Sequence, residues 1–209
     1  MTTNLQVVKS LSPKKPHVNI KLKVLEIETM SIKTFDQGKP FLDLIVYDED
    51  GDRISLTIKH FLKAKYENIL KPQNNYLFNR VFVNNNTSRS KNQHSNHACK
   101  LMLEAKTTVL PVESSDWSGD GGFKFISFAD LLAKNLEEGV TADVIGMVTK
   151  FSEEKQYGNT DDEQSKYRVI NLRDLEGLSL SCTLWGKFMR LFYNYVNSEE
   201  EKQCVILIL

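Results

Sequence analysis

The chain lacks any apolar run approaching the ~18 residues that cross a bilayer as a helix. Met1 to Ser10 also lacks the basic start, apolar middle and small-residue cleavage site of a secretory leader. Cysteine is scarce: Cys99, Cys182 and Cys204 are odd in number and have no short spacing, which argues against a disulfide framework or a paired CxxC metal site. Charge of one sign is missing as well, because 27 Lys+Arg balance 27 Asp+Glu. A uniformly basic nucleic-acid coat is therefore excluded. Catalytic signatures are absent: there is no GxxxxGKS/T phosphate loop, no GxGxxG, no HExxH and no GxSxG. These absences predict a soluble, intracellular, non-enzymatic chain with no cofactor and no membrane association.

What is present is a globular mixture, 41% hydrophobic, 10% aromatic and 26% charged, enough to build a core. The zero net charge hides a division. Residues 1–112 hold 17 Lys+Arg against 10 Asp+Glu, and residues 113–209 hold the reverse, giving +7 and −7. An anionic partner would prefer the first half. Between the halves runs Glu113-Ser-Ser-Asp-Trp-Ser-Gly-Asp-Gly-Gly122, rich in residues that favour turns. This predicts a domain at 1–112, a linker at 113–122 and a second domain at 123–209.

Val18, Ile20, Leu22 and Val24 alternate with Asn19, Lys21 and Lys23, the period of a strand with one buried face. Phe41 to Tyr47 and Arg53 to Lys59 are β-rich runs joined by Asp48-Glu-Asp-Gly-Asp52, a hairpin turn with glycine where φ turns positive. His60 to Lys71 changes to helical spacing before Pro72, and strands at Tyr76 to Asn84 and Cys99 to Thr108 follow. After a short helix at Ser127 to Leu136 the second half repeats this order. It has strands at Ala142 to Lys150, Tyr167 to Asp174 and Leu178 to Trp185, a helix at Lys187 to Asn197, and a strand at Gln203 to Leu209. Asp48, Gly51, Thr57 and Ile58 recur 126 residues later as Asp174, Gly177, Thr183 and Leu184. The halves read as two diverged copies of one module.

Three strands, a helix and two strands is the order of the OB-fold, although order alone leaves other small β-barrels open. The residues add a resemblance. Tyr47-Asp-Glu-Asp-Gly-Asp-Arg-Ile-Ser-Leu-Thr-Ile-Lys59 resembles the first OB domain of plant proteins related to the replication protein A large subunit. Ala142-Asp-Val-Ile-Gly-Met-Val148, Arg173-Asp-Leu and Cys182-Thr-Leu-Trp-Gly186 resemble the next one. The resemblance covers roughly residues 17–209. It implies an all-β chain with short helices, two tandem OB-fold barrels, and single-stranded DNA binding in replication, repair and recombination in the nucleus, with other replication protein A subunits as partners. In that family a further strand follows the one matching Gln203 to Leu209. The second barrel is therefore expected to lack its last strand and to offer an edge that a strand from a partner completes.

Single-strand binding needs a basic groove for phosphates and aromatic platforms for bases. Lys21, Lys23, Lys33, Lys39, Arg53, Lys59, Arg80, Arg89 and Lys91 fall on the strands and the two loops that flank an OB binding face, with Phe35 in the first loop and Phe82 near the second. The alternative leaves Lys21 and Lys23 as the solvated face of a strand and Phe82 as core. In the family the Trp of the Thr-Leu-Trp-Gly motif stacks on a base, which the resemblance assigns to Trp185; the alternative is a Trp packed on the following helix. By the internal register Lys59 stands at the same place in the first module. Asp48, Asp50 and Asp52 suggest the start of a calcium loop, but Lys59 stands where a bidentate Glu is needed, so a hairpin turn is the better reading. His94, His97 and Cys99 could supply soft metal ligands, yet no second ligand pair accompanies them. A competing reading of the whole chain is a protein-interaction adaptor, or a truncated paralogue, whose barrels hold a partner chain.

Overall fold

The computed structural model describes residues 4–30, 36–86, 95–113, 122–134, 141–158, 162–198 and 206–208. The chain divides into two compact units, Met1–Phe123 with Gly139–Thr141, and Lys124–Glu138 with Ala142–Leu209. Apart from its ends, the expected linker lies outside the described residues.

The first unit contains β1 (Leu5–Gln6), β2 (His17–Met30), β3 (Phe41–Tyr47), β4 (Arg53–Ile58), α1 (His60–Tyr66), β5 (Asn75–Asn85), β6 (Cys99–Met102) and β7 (Thr108–Pro111). The alternation that marks Val18 to Val24 as a strand holds in burial and ends after Val24, while β2 carries register shifts in its pairing at Val18/Ile20 and Val24/Glu26. Bulges bend a strand and increase its twist. Here they let one strand pair with β5 along its first half and with β3 along its second. The β3–β4 hairpin follows, and β4 then pairs in parallel with β6 through Leu56↔Leu101. With β6 on β5 and β5 on β2, the ring closes in the order β2-β3-β4-β6-β5. Its inside is filled by the alternating apolar residues, among them Ile20, Leu22, Leu44, Ile54, Leu56, Phe78 and Leu101. Tyr66 of α1 closes one end and spends its hydroxyl on the carbonyl of Thr107 at 2.8 Å, as a buried phenol requires.

Three parts depart from the sequence reading, the first being the helix expected from His60 to Lys71, which ends at Tyr66 and leaves Ile69 exposed. The single strand expected at Cys99 to Thr108 is broken, because Thr107 Oγ1 accepts the Glu104 N–H and donates to the Arg80 carbonyl, making a turn between β6 and β7. The N-terminal segment also joins the fold: β1 pairs in parallel with β2, and Val8 is fully buried.

The second unit contains α2 (Phe128–Leu132), β8 (Ile145–Phe151), β9 (Lys155–Gln156), β10 (Lys166–Arg173), β11 (Ser179–Trp185), α3 (Gly186–Val196) and β12 (Ile206–Ile208). Its sheet runs β11-β10-β8-β12, with β9 on β10. Its core is smaller, built from Phe128, Val144, Ile170, Leu172, Leu184, Met189 and Phe192. The last strand pairs antiparallel with β8, as the expected barrel order requires. Among the described residues no strand lies on the outer edge of β11, where β4 carries β6.

The 126-residue register holds in atomic detail. In the first hairpin the Asp48 N–H donates to Asp52 O, the Gly51 N–H to Asp48 O, and Asp48 Oδ1 accepts the N–H groups of Asp50 and Asp52. In the second, Asp174 N–H donates to Leu178 O, Gly177 N–H to Asp174 O, and Asp174 Oδ1 accepts from Glu176 and Leu178. Gly51 (φ 78°) and Gly177 (φ 84°) take the left-handed position that this turn demands. Asp48 has one duty more, since its Oδ2 accepts the Val8 N–H at 2.7 Å and it is only 3% exposed. Leaving a buried donor unsatisfied costs ~1–3 kcal/mol. Asp48→Ala, which strands three donors, is therefore expected to lower stability by ~3 kcal/mol or more, and the more exposed Asp174→Ala by about half of that. Urea unfolding of the two variants checks this, and equal losses would show that the N-terminal segment gains nothing from Asp48.

Candidate nucleic-acid interface

Paired β-strands place directly opposed residues on the same side of the sheet. In the second unit Ile170, Leu172 and Leu184 are buried, so the outer side of β10 and β11 carries Tyr167 opposite Trp185, Val169 opposite Thr183, Asn171 opposite Ser181 and Arg173 opposite Ser179. Lys150 of β8 lies beside Asn171 on the same side. The result is a floor of small side chains about 20 Å long, polar except for Val169, aromatic at one end and cationic at the other.

At the aromatic end Trp185 is 43% exposed, and its ring lies 4.6 Å from that of Tyr167 at 35°. Tyr157, 73% exposed, meets the same indole edge-on at 6.2 Å. Tyr157 gets there because β9 pairs with the start of β10 and its own N–H donates to Ser165 O. Arg190 of α3 forms an ion pair with Glu163, holding the Glu163 carboxyl below its ordinary range. Gly186 follows Trp185 with φ 48°, and a Cβ there would stand 3.4 Å from Gln164 Cα. Glycine thus lets α3 start directly after the Trp and close against this loop, which accounts for the Trp-Gly pair in the sequence.

The first unit presents a different face. Lys21, Lys23 and Arg53 sit near the same end of β2, β3 and β4, but Lys21 is paired with Glu49 at 2.9 Å. The Arg53 guanidinium lies 4.8 Å over the Phe123 ring. Tyr47, opposite Arg53, is 3% exposed because the backbone at Gly122 rests on its ring. Residues 122–123 therefore cover this end of the strand face. Further along, Thr57 donates to Asp43 at 3.0 Å, Lys59 is the residue before α1, and Lys39 is exposed. Arg80 and Phe82 lie on β5, which borders neither β3 nor β4, and Phe82 tilts against His17. The structure does not bring these two to the other candidates. Lys33, Phe35, Arg89 and Lys91 lie outside the described residues, as does His94.

The metal-like groups have internal work. The Asp48 carboxylate caps backbone donors and that of Asp52 is 3.0 Å from Lys9. His97 Nδ1 accepts the Cys99 N–H at 3.0 Å, and burial pushes the Cys99 thiol pKa up. Tyr157, Tyr167, Lys150, Arg173 and Phe123 are additions to the residues singled out from the sequence. Tyr167 was recoverable, since the turn at Asp174–Gly177 fixes the pairing that puts it opposite Trp185. Tyr157 carries no such signal.

A ring closed by a parallel pairing of its third and fifth strands, with a helix after the third and an exposed strand face, is that of an OB-fold protein. The family model described as domain of unknown function DUF223 matches residues 9–134. One replication protein A 70 kDa DNA-binding subunit of Arabidopsis thaliana is 26% identical over 167 residues, covering 79% of this chain and 18% of the relative. Another 70 kDa DNA-binding subunit from the same plant is 27% identical over 153 residues, covering 72% and 23%. The chain thus spans about a fifth of the length of these relatives. Among solved structures, a replication protein A heterotrimer bound to single-stranded DNA aligns with 97% of this chain and 46% of its own at a TM-score of 0.58 and 19% identity, which shows the fold. The chain belongs to the DUF223 family and is similar to the plant replication protein A large subunits.

One contact fixes residues 36–38, just ahead of β3. Asp36 and Gln37 have φ of 49° and 58°, and Gly38 follows at 71°, a left-handed turn that costs its non-glycine residues ~1 kcal/mol or more each. Asp36 offsets this by accepting the His60 N–H at the start of α1, with its Oδ1 2.8 Å from His60 Nδ1. Burial raises the Asp36 carboxyl, but the His60 N–H and imidazole and the Lys59 charge outweigh it and hold the pKa below its usual value. A carboxyl that titrates lower when folded stabilises the fold above about pH 4, and that contribution is lost as pH falls through its folded value. Asp36→Asn is expected to lower the melting temperature at pH 7, with the gap from wild type closing towards pH 3. Thermal melts across that range test it, and a constant gap would refute it.

Proposed function

We propose that the chain binds single-stranded DNA, acting with other replication protein A subunits in replication, repair and recombination in the nucleus. The observation that carries this reading is the exposed Trp185 ring, backed by the half-buried Tyr167, at one end of a floor whose other end holds Arg173 and Lys150. Bases stack on aromatic faces without regard to identity, and cations follow the phosphates. Hydroxyl and amide groups between them exclude nothing a strand would present. The names of the relatives, DNA-binding subunits of replication protein A, support the same ligand. The first unit contributes charge through Lys23, Lys39 and Lys59 but no exposed aromatic pair among the described residues, so it acts as a phosphate-tracking surface. No step of this function breaks a bond.

Oligo-dT is expected to bind in preference to duplex DNA, with a log-log salt slope of about −0.7 for each phosphate contact. Trp185→Ala weakens binding by ~1–3 kcal/mol and Trp185→Phe by less, because the phenyl ring still stacks. Arg173→Gln and Lys150→Gln flatten the salt slope. Fluorescence anisotropy in a salt series measures all four, and a slope of zero in the wild type would end the single-strand reading.

A further inference from the structure

The geometry points to a second binding site on the first unit, a cationic pocket on the β1–β2–β5 wall that takes acidic side chains of an extended peptide from a protein partner. The pocket is a cavity of about 380 Å³ lined by Asn4, Gln6, Lys15, His17, Asn19 and Arg80. Its β2 residues, His17 to Asn19, lie on the half of the strand that pairs with β5, whereas β3 pairs only from Lys23 onward.

Arg80 is built into this place. Its backbone is left-handed at φ 58°, a conformation unfavourable for a residue with a Cβ. Two bonds impose it: the Arg80 N–H donates to Asn19 Oδ1 at 2.9 Å, and its carbonyl accepts the buried Thr107 hydroxyl at 3.0 Å. The bulge in β2 at Val18/Ile20 supplies Asn19 for the first of them. The turn ahead of β2, closed by Lys15 N–H on Ser12 O, brings Lys15 to the same cavity. His17 is held by Glu104 at 2.9 Å, which spends that carboxylate. Among the described residues neither the Lys15 ammonium nor the Arg80 guanidinium has an ion-pair partner, so the pocket keeps two uncompensated cations.

The lining decides which anion suits it. No Phe, Tyr or Trp lines the cavity, and its one ring, His17, is already tilted against Phe82 and bonded to Glu104, so a base would find no free stacking platform there. The Asn4 amide can both donate and accept, and Gln6 and Asn19, whose oxygens already accept from Ser10 and Arg80, keep NH2 donors for peptide carbonyls. Beside them β1 ends the sheet order, and the outer edge of Leu5–Gln6 is unpaired among the described residues. Such an edge accepts an added strand. Acidic side chains would then reach Lys15 and Arg80 while the peptide backbone extends along β1.

The test uses the full chain and a fluorescein-labelled peptide of alternating Asp and Ser, with an Asn–Ser counterpart as control, followed by anisotropy at low salt. The Asp–Ser peptide is expected to bind and the Asn–Ser peptide not to. Lys15→Gln and Arg80→Asn should each weaken the acidic peptide about tenfold, the loss of one charge-assisted contact. Asn tolerates the left-handed backbone, so the Arg80→Asn variant should melt with the wild type. Lys15→Gln should leave oligo-dT affinity within about twofold, and saturating oligo-dT should not displace the peptide. Failure of the wild type to bind the peptide, unchanged affinity in both variants, or displacement by oligo-dT would overturn the proposal, the last by making the pocket part of a nucleic-acid path. A chain that held the peptide but ignored oligo-dT would overturn only the single-strand reading.

Discussion

The parallel pairing of β4 with β6 is the contact on which the first unit depends. About 40 residues separate the two strands, so joining them costs ~3 kcal/mol in loop closure before any contact forms. The gain is that β4 ceases to be an edge. Leu56 and Leu101 meet inside the ring, and the Leu103 N–H continues the ladder to Thr57 O. Closure also fixes curvature, and curvature sets the outer face, since β3 and β4 can turn Ser55 and Lys59 outward only while their other sides are packed, with Thr57 between them buried against Asp43. In the second unit the same hairpin stands with no strand on the outer edge of β11 among the described residues. Cys182, in register with the fully buried Leu56, is only half-buried, and Phe188, in register with Leu62, is exposed.

Two copies of one hairpin have diverged in the groups they display while keeping the turn that shapes them. The Asp-centred turn and its left-handed glycine are the same at 48–52 and 174–178, because that bond pattern has few solutions. The outward rows are free to vary. Phe41 and Lys59 of the first unit correspond to Tyr167 and Trp185 of the second, and Arg53 to Ser179. A stacking platform in one copy is thus a point charge in the other, which agrees with the division of net charge between the halves.

The hairpins, the helices that follow them and the repeat were legible in the sequence because each rests on local patterns: alternation, an Asp-x-Asp-Gly turn, a change of period before Pro72. What failed to show depends on contacts between distant residues. The double duty of β2 requires bulges that no propensity reports. The break at Thr107 is made by a hydroxyl that bonds Arg80, and the burial of Val8 by a carboxylate forty positions away. Among candidate residues, those on β2 to β4 sit near one another as the strand order implies, whereas Arg80 and Phe82, read as a strand residue and a residue near the second loop, lie on β5, which borders neither β3 nor β4. Trp185 was found through its motif, and Tyr157 was missed because a short hairpin inside a polar loop carries it there.

Arg168 links the core of the second unit to its aromatic end. It occupies the register position of Leu42, an apolar residue of the first core, and is 6% exposed. A buried guanidinium is costly unless its donors are used. Nη1 donates to Ser152 O at 2.9 Å and the plane lies 4.7 Å over Tyr193, although Nε finds no partner among the described residues. Ser152 in turn accepts the Val169 N–H, so the start of the β8–β10 loop is tied to β10 twice. That loop carries Tyr157 to Trp185. The second unit has exchanged a leucine's contribution to its core for a cation that fixes the loop, and it is this unit, not the tightly closed first one, that displays the exposed aromatic cluster. Stability given up inside the sheet reappears as order in the loop where bases would stack.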